Sequence, residues 1–369
     1  MELGKVARDR GLGDPLVPRG PRALETALWS HAVPRVVPVD PAQPDPAAIA
    51  DAAEVMRRGG LVAFPTETVY GLGARGLRAE EVRKIFAAKG RPPGHPVILH
   101  VDGEAMARSL AAEWSSSASR LAAALWPGPL TLVVPRAPAV PPEVSGGLDT
   151  VGIRAPAHPV ALALIRAVGE PLAAPSANAH THVSPTTAAH VVRSLGDRVE
   201  LVLDAGPTSL GIESTVVSLG HDPPRVLRPG SVSLERLCAI DPRVVHERVS
   251  VEGDHARAAP GMAAKHYAPR TRVLLAARGG EAFAQAIARS GLERARIAAI
   301  VVTDGARVAA AGCALVVPLA DSPEEYARGL FAALHEVDAA GVDLVVIEEV
   351  PAEPGWWAVA DRLTRAARR

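Results

Sequence analysis

The segment AAKGRPPGHPVILHV, residues 87–101, holds the end of one predicted helix and the whole of one predicted strand. A helical pattern begins with Glu80 and Glu81, whose charges suit the first turn of a helix, and it stops near Lys89. Residues 97–101 form a short, largely apolar run that is typical of a buried strand. A helix, a stiff turn and a buried strand in this order favour an α/β fold.

The turn inside this segment carries two cations, Lys89 and Arg91, among glycines and prolines. Solvated basic residues are expected on open helix faces, so two of them in a rigid turn indicate a clamp for an anion. The same side chains can instead cap the C-terminus of the preceding helix. This segment alone leaves both interpretations open.

Strand and helix patterns continue on both sides of the segment. Strands are predicted at 61–64, 97–101, 130–134, 151–154, 171–174, 200–203, 214–219 and 225–228, and helices at 47–58, 80–88, 104–112, 116–125, 158–168 and 186–195. Because they interleave without strict βαβ regularity, we expect a mixed sheet with flanking helices. Regular alternation over 272–367 predicts a second, smaller α/β unit with an open parallel sheet.

Length and pattern divide the chain into four parts. With 369 residues, two domains are expected. We predict a flexible N-terminal extension at 1–35, a first domain at 36–239, a linker at 240–270 and a second domain at 271–369. The linker contains PGMAAKHYAP, in which a lysine, a histidine and a tyrosine lie within three positions, and we expect it to act as a lid over a pocket.

Composition narrows the function classes. The 40 basic residues equal the 40 acidic residues, which argues against a broad nucleic-acid footprint. The two cysteines, Cys238 and Cys313, are far apart, so neither a disulfide framework nor a CxxC metal site is predicted. Cysteine usage and the lack of a signal peptide or a membrane-length apolar run favour a cytoplasmic protein without a membrane partner.

The P-loop, HExxH and GxSxG signatures of nucleotide-binding proteins and hydrolases are absent from the sequence. Instead, loops at predicted strand ends combine Thr, Ser, Asn or Arg with Pro or Gly. They are FPTETVYGLG (64–73), KGRPPGHP (89–96), WPGPLT (126–131), GLDTVGIRAPAHP (147–159), APSANAHTHVSP (174–185), GIESTVV (211–217) and RVLRPG (225–230). Ligand sites gather at such loops.

Each of these residues also has a structural interpretation. Ser176 and Asn178 are common turn formers, and His100 is more often a satisfied core histidine than a ligand. Arg154, inside an apolar strand, needs a partner such as a carboxylate, which a structural salt bridge and a ligand supply equally well. Seven such loops in one domain together favour a polar ligand pocket.

Several of these motifs, in this order, resemble the YrdC-like family: FPTETVYGLG, the KxR pair, WPGPLT, the SxN pair and GIESTVV. The linker APGM…KHYAP and the appended α/β unit resemble the two-domain, long-form L-threonylcarbamoyladenylate synthases of that family. The resemblance runs from about residue 36 to the end of the chain. It implies a mixed twisted sheet with flanking helices as the catalytic domain, followed by a smaller Rossmann-like parallel-sheet domain.

The resemblance implies a nucleotidyltransferase. L-Threonine, bicarbonate or CO2, and ATP would give threonylcarbamoyl-AMP and diphosphate, for the threonylcarbamoyladenosine (t6A) modification of tRNA next to the anticodon. The carbamate is already an anion, so this chemistry needs no Ser-His pair; it needs positioned anions and exclusion of water. Mg²⁺ would accompany ATP through the phosphates, without a protein metal site. The product would pass to a separate tRNA threonylcarbamoyl transferase, with at most weak contact to tRNA.

The resemblance also implies site residues. The catalytic tetrad facing the triphosphate would be Lys89, Arg91, Ser176 and Asn178. Nucleotide contacts would be Arg91, His95, Thr150, Ser176, Ser184, Arg228 and Tyr267. Threonine contacts would be Thr68, His100, Arg154, Ala174 (through its backbone) and Ser214. Arg154 would then bind the carboxylate of the amino acid through a bidentate fork.

Two other functions fit parts of the sequence. An RNA-binding module could use the same basic loops without chemistry, but aromatic residues for base stacking make up only 3% of the chain. Transfer of carbamoyl groups in metallocofactor assembly is carried out by related domains, in chains with cysteine-rich and acyl-phosphatase-like modules that this sequence lacks. Threonine- and bicarbonate-dependent release of diphosphate from ATP discriminates among the three.

Overall fold

The computed structural model of the protein describes residues 33–246 and 266–368. The predicted extension at 1–35 therefore lies outside the described residues except for its last three. The central part of the predicted linker, residues 247–265, also lies outside them. The linker residues that are described run from the end of a helix at Ile240 to His246, and from His266 to Arg270.

The first ten strands form one mixed sheet. They are β1 (Arg35–Pro38), β2 (Val62–Phe64), β3 (Gly71–Arg75), β4 (Ile98–His100), β5 (Leu130–Pro135), β6 (Thr150–Arg154), β7 (Leu172–Ala173), β8 (Leu201–Asp204), β9 (Thr215–Ser218) and β10 (Arg225–Arg228). Their order is β1-β8-β2-β3-β7-β4-β6-β5-β9-β10. Parallel pairs such as β4–β6 alternate with antiparallel pairs such as β4–β7. The predicted mixed sheet is confirmed.

Helices flank this sheet. They are α1 (Pro46–Arg57), α2 (Ala79–Lys89), α3 (Glu104–Leu110), α4 (Ser116–Leu125), α5 (Pro142–Ser145), α6 (Pro159–Val168), α7 (Ala188–Leu195) and α8 (Leu234–Ile240). In α1, Ile49, Ala52, Ala53 and Met56 repeat at helical spacing and are all buried. They share one apolar core with residues of α6, and the Asp45 carboxylate caps the first turn of α1 at the Ala47 N–H. Burial of an apolar stripe therefore holds these helices on the sheet.

Strand β3 lies where the sequence predicts a loop, within FPTETVYGLG. Its residues, GLGAR, lack the β-branched and aromatic side chains that mark strands. The glycines are needed because other groups approach closely: a Cβ on Gly73 would lie 2.6 Å from Phe64 Cε1 and 2.7 Å from Met56 Cε. Packing of the neighbouring strand and helix thus requires glycine at position 73. Because glycine is not typical of strands, the sequence pattern does not predict this strand.

The last four strands form a separate, all-parallel sheet. They are β11 (Arg272–Ala276), β12 (Ile297–Val301), β13 (Leu315–Pro318) and β14 (Leu344–Glu348), in the order β11-β14-β12-β13. The helices of this part are α9 (Gly280–Ser290), α10 (Asp304–Ala309), α11 (Pro323–Ala340) and α12 (Trp357–Ala367). The predicted small parallel sheet is confirmed.

The two sheets are joined by a shared apolar core. Val69 and Ile212, from loops of the first sheet, belong to the same buried cluster as Tyr326 and Phe331 of α11 and Leu363 of α12. This packing places α11 and α12 directly behind the loops that carry the predicted site. The second domain therefore forms part of the surroundings of that site. Within the described ranges, no helix has both the length and the apolar content required to cross a bilayer.

Candidate active site

A cavity of about 540 Å³ lies against the middle of the large sheet, and many predicted site residues line it. They are Thr68, Arg91, His100, Arg154, Ala174, Ser176, Ser214, Arg228 and Tyr267. Ile98 and His100 lie two positions apart on β4 and both line the cavity, since alternate residues of a strand share a face. Arg154 of β6 is the direct parallel neighbour of His100. The sheet therefore brings together polar residues that are far apart in the sequence.

Arg154 is buried and held at three places. Its Nη1 donates to Thr68 Oγ1 at 2.9 Å, its Nε donates to the Gly128 carbonyl at 3.3 Å, and its Nη2 lies 2.8 Å from Glu67 Oε2. The contact with Glu67 lacks hydrogen-bond alignment, so Nη2 makes no hydrogen bond to any described residue. The chain thus supplies a carboxylate that balances the charge of Arg154, and it leaves one donor unsatisfied.

His100 lies beside this arginine and stays neutral. Burial, and then the charge of Arg154, lower the pKa of His100 to about 3. Its Nδ1 is buried and has no hydrogen-bond partner among the described residues. An uncharged imidazole with an unpaired Nδ1, next to a buried arginine, suits a ligand that has both an anionic and a polar group.

Lys89 lies at the end of α2, next to Gly90, whose φ of 60° ends the helix. Its Nζ donates to the Ser176 carbonyl at 2.5 Å and to the Asn178 carbonyl. Burial, then Arg91 and Arg198, lower the pKa of Lys89 well below its ordinary value. Among the described contacts, Lys89 holds the backbone of the SxN loop, and it is not among the residues that line the cavity.

Arg91 reaches the cavity from the same turn. Its Nη2 donates to the Pro96 carbonyl at 2.9 Å, and its Nε is buried without a hydrogen bond to a described residue. Burial lowers the pKa of Arg91 to about 10, so the guanidinium remains charged at neutral pH. The proline-rich turn therefore presents a fixed cation with a free donor to the cavity.

Ser214 and Arg228 form another part of the wall. Arg228 is buried, and its Nη2 donates to the Ser214 carbonyl at 2.9 Å and to Ser214 Oγ at 3.2 Å. Ser214 Oγ shares a further hydrogen bond of 2.8 Å with Thr131 Oγ1. These contacts connect WPGPLT, GIESTVV and RVLRPG, three of the predicted loops.

Tyr267 enters the cavity from the described end of the linker. It is 1% exposed, its ring stacks on Phe331 at 5.6 Å, and its φ of 59° lies in the left-handed region that L side chains seldom adopt. Its hydroxyl has no hydrogen-bond partner among the described residues. The N–H of Ala268 donates to the Thr181 carbonyl at 3.0 Å, which fastens this segment to the SxN loop.

The remaining predicted residues lie around the cavity. Ser184 Oγ donates at 2.5 Å to Oε1 of Glu213, which itself lines the cavity, and Asn178 Nδ2 donates to the carbonyls of Ala179 and His182. His95 packs against His180 with ring centroids 5.5 Å apart. Thr150 begins β6, four residues before Arg154, and does not line the cavity.

Sequence reasoning did not assign a role to Glu213 or Arg362. The side chain of Arg362, on α12 of the second domain, is fully buried, and its Nε lies 3.2 Å from Glu213 Oε2. Its guanidinium lies over the Tyr267 ring, 5.3 Å from the centroid. A signal for Arg362 was present, because it interrupts an apolar helical stripe formed by Ala358, Val359, Leu363 and Ala366.

Residues 33–246 and 266–368 contain no group of three or more His, Cys, Asp or Glu side chains placed to hold a metal ion. Glu67 and Glu213, the carboxylates beside the cavity, each pair with an arginine.

Comparisons with known proteins agree with this geometry. A family model described as "Telomere recombination" matches residues 54–230, and one described as "Threonylcarbamoyl-AMP synthase, C-terminal domain" matches residues 232–368. The threonylcarbamoyl-AMP synthase of Pyrococcus abyssi is 41% identical over 86% of this chain and 93% of its own length. That of Bacillus subtilis is 38% identical over 86% of this chain and 92% of its own.

A solved structure gives the same result. The crystal structure of P. abyssi Sua5 complexed with L-threonine matches with a TM-score of 0.82 at 38% identity, covering 90% of this chain and 97% of that one. The family match over residues 54–230 and the match to this structure assign the chain to the Sua5/YrdC class. The chain belongs to the two-domain threonylcarbamoyl-AMP synthase family, whose members are nucleotidyltransferase-type enzymes with ATP as a substrate.

Proposed function

We propose that this chain joins L-threonine, bicarbonate or CO2, and ATP to give threonylcarbamoyl-AMP and diphosphate. The threonine amine and CO2 form a carbamate, and a carbamate oxygen attacks the α-phosphorus of ATP. The bond between the α-phosphorus and the bridging oxygen breaks, and diphosphate leaves with the electron pair. The observation that carries the proposal is one cavity with two buried arginines, Arg91 and Arg154, that each keep an unsatisfied donor.

Threonine would bind at Arg154. Its carboxylate would accept from Arg154 Nη2, which makes no hydrogen bond to a described residue, and a charge-assisted contact of this kind contributes about 1.5–3 kcal/mol. Thr68, which already accepts from Arg154 Nη1, would fix the edge of this subsite. His100, neutral and unpaired at Nδ1, would bind the polar groups of the amino acid, together with Ser214 and the backbone of Ala174.

ATP would bind on the Arg91 side of the cavity. Arg91 and Ser176 would contact the phosphates, and Arg228 would approach from the opposite loop. Lys89 would act as a positioning residue, because its ammonium group holds the carbonyls of Ser176 and Asn178. The proposal keeps Asn178, His95, Thr150 and Ser184 as further nucleotide-side residues.

Water must be excluded because both the carbamate and the mixed anhydride hydrolyse. Tyr267, anchored to the SxN loop and stacked on Phe331, covers one side of the cavity. We infer that the linker at 240–270 acts as a lid between a catalytic domain at 36–239 and an α/β domain at 271–369. The buried, charged and aromatic contacts of Tyr267 support a lid rather than a passive tether.

We infer that Mg²⁺ accompanies ATP, bound mostly by phosphate oxygens and water. When bound, it would neutralise phosphate charge. The carboxylates beside the cavity are already paired with arginines, which supports coordination through the substrate. The product would pass to a separate tRNA threonylcarbamoyl transferase, consistent with a chain whose formal net charge is zero.

The test is release of diphosphate from ATP by the full chain, with threonine and bicarbonate omitted in turn. We expect release only when both are present, and a product with the mass of threonylcarbamoyl-AMP. ATP turnover without threonine, or the absence of turnover together with tight binding of tRNA, would contradict the proposal. The second outcome would favour the RNA-binding alternative.

A further inference from the structure

A second cavity, about 810 Å³ in volume, lies beside the first at the junction of the two domains. Its wall includes Arg193, Arg198, Arg270, His182, His190 and His335. The loop that gives Ser176 to the catalytic cavity also gives Ala179 and His182 to this one. The two cavities are therefore neighbours that share a loop.

The wall of this cavity is basic. Asp338 is the one acidic residue among the described residues that line it, and its carboxylate already accepts from the backbone N–H groups of Arg270 and Thr271, at 3.0 Å each. Arg198 donates to the carbonyls of Leu195 and Ser194, which are neutral and leave its charge unbalanced. The charge of the wall thus favours an anion.

Two of the arginines have unused donors. The guanidinium groups of Arg193 and Arg270 form no hydrogen bond or ion pair with another described residue, although both line the cavity. Arg193 comes from α7 in the first domain, and Arg270 directly precedes the second sheet. An anion between them would contact both domains at once.

A stacked pair of histidines completes the wall. The rings of His190 and His335 lie 3.8 Å apart, nearly parallel, and His335 Nε2 lies 3.1 Å from the Ser184 carbonyl. This geometry makes His335 Nε2 the donor to that carbonyl. The pair therefore links the cavity to Ser184, whose hydroxyl contacts Glu213 of the catalytic cavity.

Arg198 connects the two cavities electrostatically. Its charge acts on both Lys89, at the SxN loop, and His182. A phosphate that leaves the Lys89–Arg91 turn and enters the second cavity would thus stay close to positively charged side chains. Among the described residues that form the wall there is no Phe, Tyr or Trp on which a base could stack, which favours a small phosphate over single-stranded nucleic acid.

We propose that this second cavity is an anion site that takes up inorganic diphosphate as it leaves the catalytic cavity. The proposal rests on the proposed function, because that reaction produces diphosphate in the neighbouring catalytic cavity. Diphosphate carries several charges in a small volume, so it can contact Arg193 and Arg270 together. The site would hold the product away from the labile acyl phosphate while the lid is closed.

The experiment is calorimetric titration of inorganic diphosphate into the full chain saturated with a non-hydrolysable ATP analogue. The analogue fills the catalytic cavity, so we expect one further diphosphate per chain. The double variant Arg193→Ala, Arg270→Ala should bind it at least about tenfold more weakly, because charge-assisted contacts are lost. Arg289→Ala, which removes an exposed arginine from α9, is the matched control and should bind as the wild type does.

Kinetics give an independent measurement. We expect diphosphate to inhibit the wild type in a mixed manner against ATP, and the double variant competitively. No binding beside the analogue, equal binding by the double variant, or displacement of diphosphate by a short RNA would each overturn the proposal. A wild type that binds diphosphate here but makes no product overturns the proposed function and supports the anion site.

Discussion

Replacement of Arg362 by methionine tests whether the second domain supports the catalytic cavity through one buried ion pair. Arg362 lies 3.2 Å from Glu213 and above the Tyr267 ring, and its side chain is fully buried. Arg362→Met keeps most of the apolar volume and removes the charge. Glu213 then retains Ser184 as a hydrogen-bond donor but loses its nearest cation.

The expected cost is large for a single residue. Removal of one partner from a buried pair costs about 3–5 kcal/mol, since the other charge stays buried without compensation. Arg228 also acts on Glu213 and would offset part of this, so we expect about 3 kcal/mol. With an m-value of roughly 3 kcal/mol/M, the urea midpoint should fall by about 1 M.

The assay is urea unfolding followed by tryptophan fluorescence, for wild type, Arg362→Met, Glu213→Gln and the double variant. Arg307→Met is the control, because Arg307 is exposed and its carboxylate neighbour Asp304 lies 3.9 Å away; it should change stability by less than about 0.5 kcal/mol. The double variant should be less destabilised than the sum of the two single variants, because no unpaired charge remains. Additive effects, or a midpoint for Arg362→Met equal to that of the wild type, would refute the reasoning.

Four further predictions concern the cavity. Lys89→Ala and Arg91→Ala should each remain folded by circular dichroism and lose about one to two decades in rate, because each loses one charge-assisted contact of about 1.5–3 kcal/mol. Diphosphate release at the wild-type rate would contradict the assignment of Lys89 and Arg91 to the active site. Arg154→Lys should raise the KM for threonine much more than that for ATP, because one ammonium group cannot both keep the contact with Thr68 and bind the threonine carboxylate. Equal changes in both would make Arg154 structural. Tyr267→Ala should weaken ATP binding in calorimetry, and Tyr267→Phe, which keeps the stacking on Phe331, should show how much of the lost affinity is due to the hydroxyl. Unchanged ATP affinity in both variants would mean that the linker is only a tether. The free energy of unfolding should fall as pH drops from about 6.5 toward 3, because His100 then gains a proton in the unfolded chain but not in the native chain, where its pKa is about 3. His100→Gln should flatten the acid side of a plot of melting temperature against pH, and an unchanged plot would show that His100 does not contribute.

The sequence by itself determined most of the architecture. Periodicity predicted most of the longer helices and strands closely, because apolar stripes and buried runs report burial directly, but it did not predict β1 or the short helices α5, α8 and α10. Helix α4 was predicted at its observed bounds, Ser116–Leu125. The short motifs predicted the family, because a motif such as GIESTVV is recognised by residue types and their order, and the sequence contains both.

The tertiary structure decided what each polar residue touches. Periodicity could not reveal β3, since its glycines are selected by the approach of Phe64 and Met56 from elsewhere in the chain. Glu67 supplies the carboxylate partner that the sequence interpretation of Arg154 required, and the ligand contact stays a prediction, supported by an Nη2 that lacks a hydrogen bond among the described residues. Lys89 faces backbone carbonyls, a contact that no spacing rule encodes.

The partnership of Glu213 with Arg362 shows the physical limit most clearly. These residues are 149 positions apart, and they meet because an apolar cluster shared by both domains places α12 behind the GIESTVV loop. The local pattern of apolar residues predicts which faces of helices and strands are buried, because each residue contributes to that burial independently of distant parts of the chain. The pairing of buried charges depends on which surfaces that burial brings together, and it exists only once the two domains have packed.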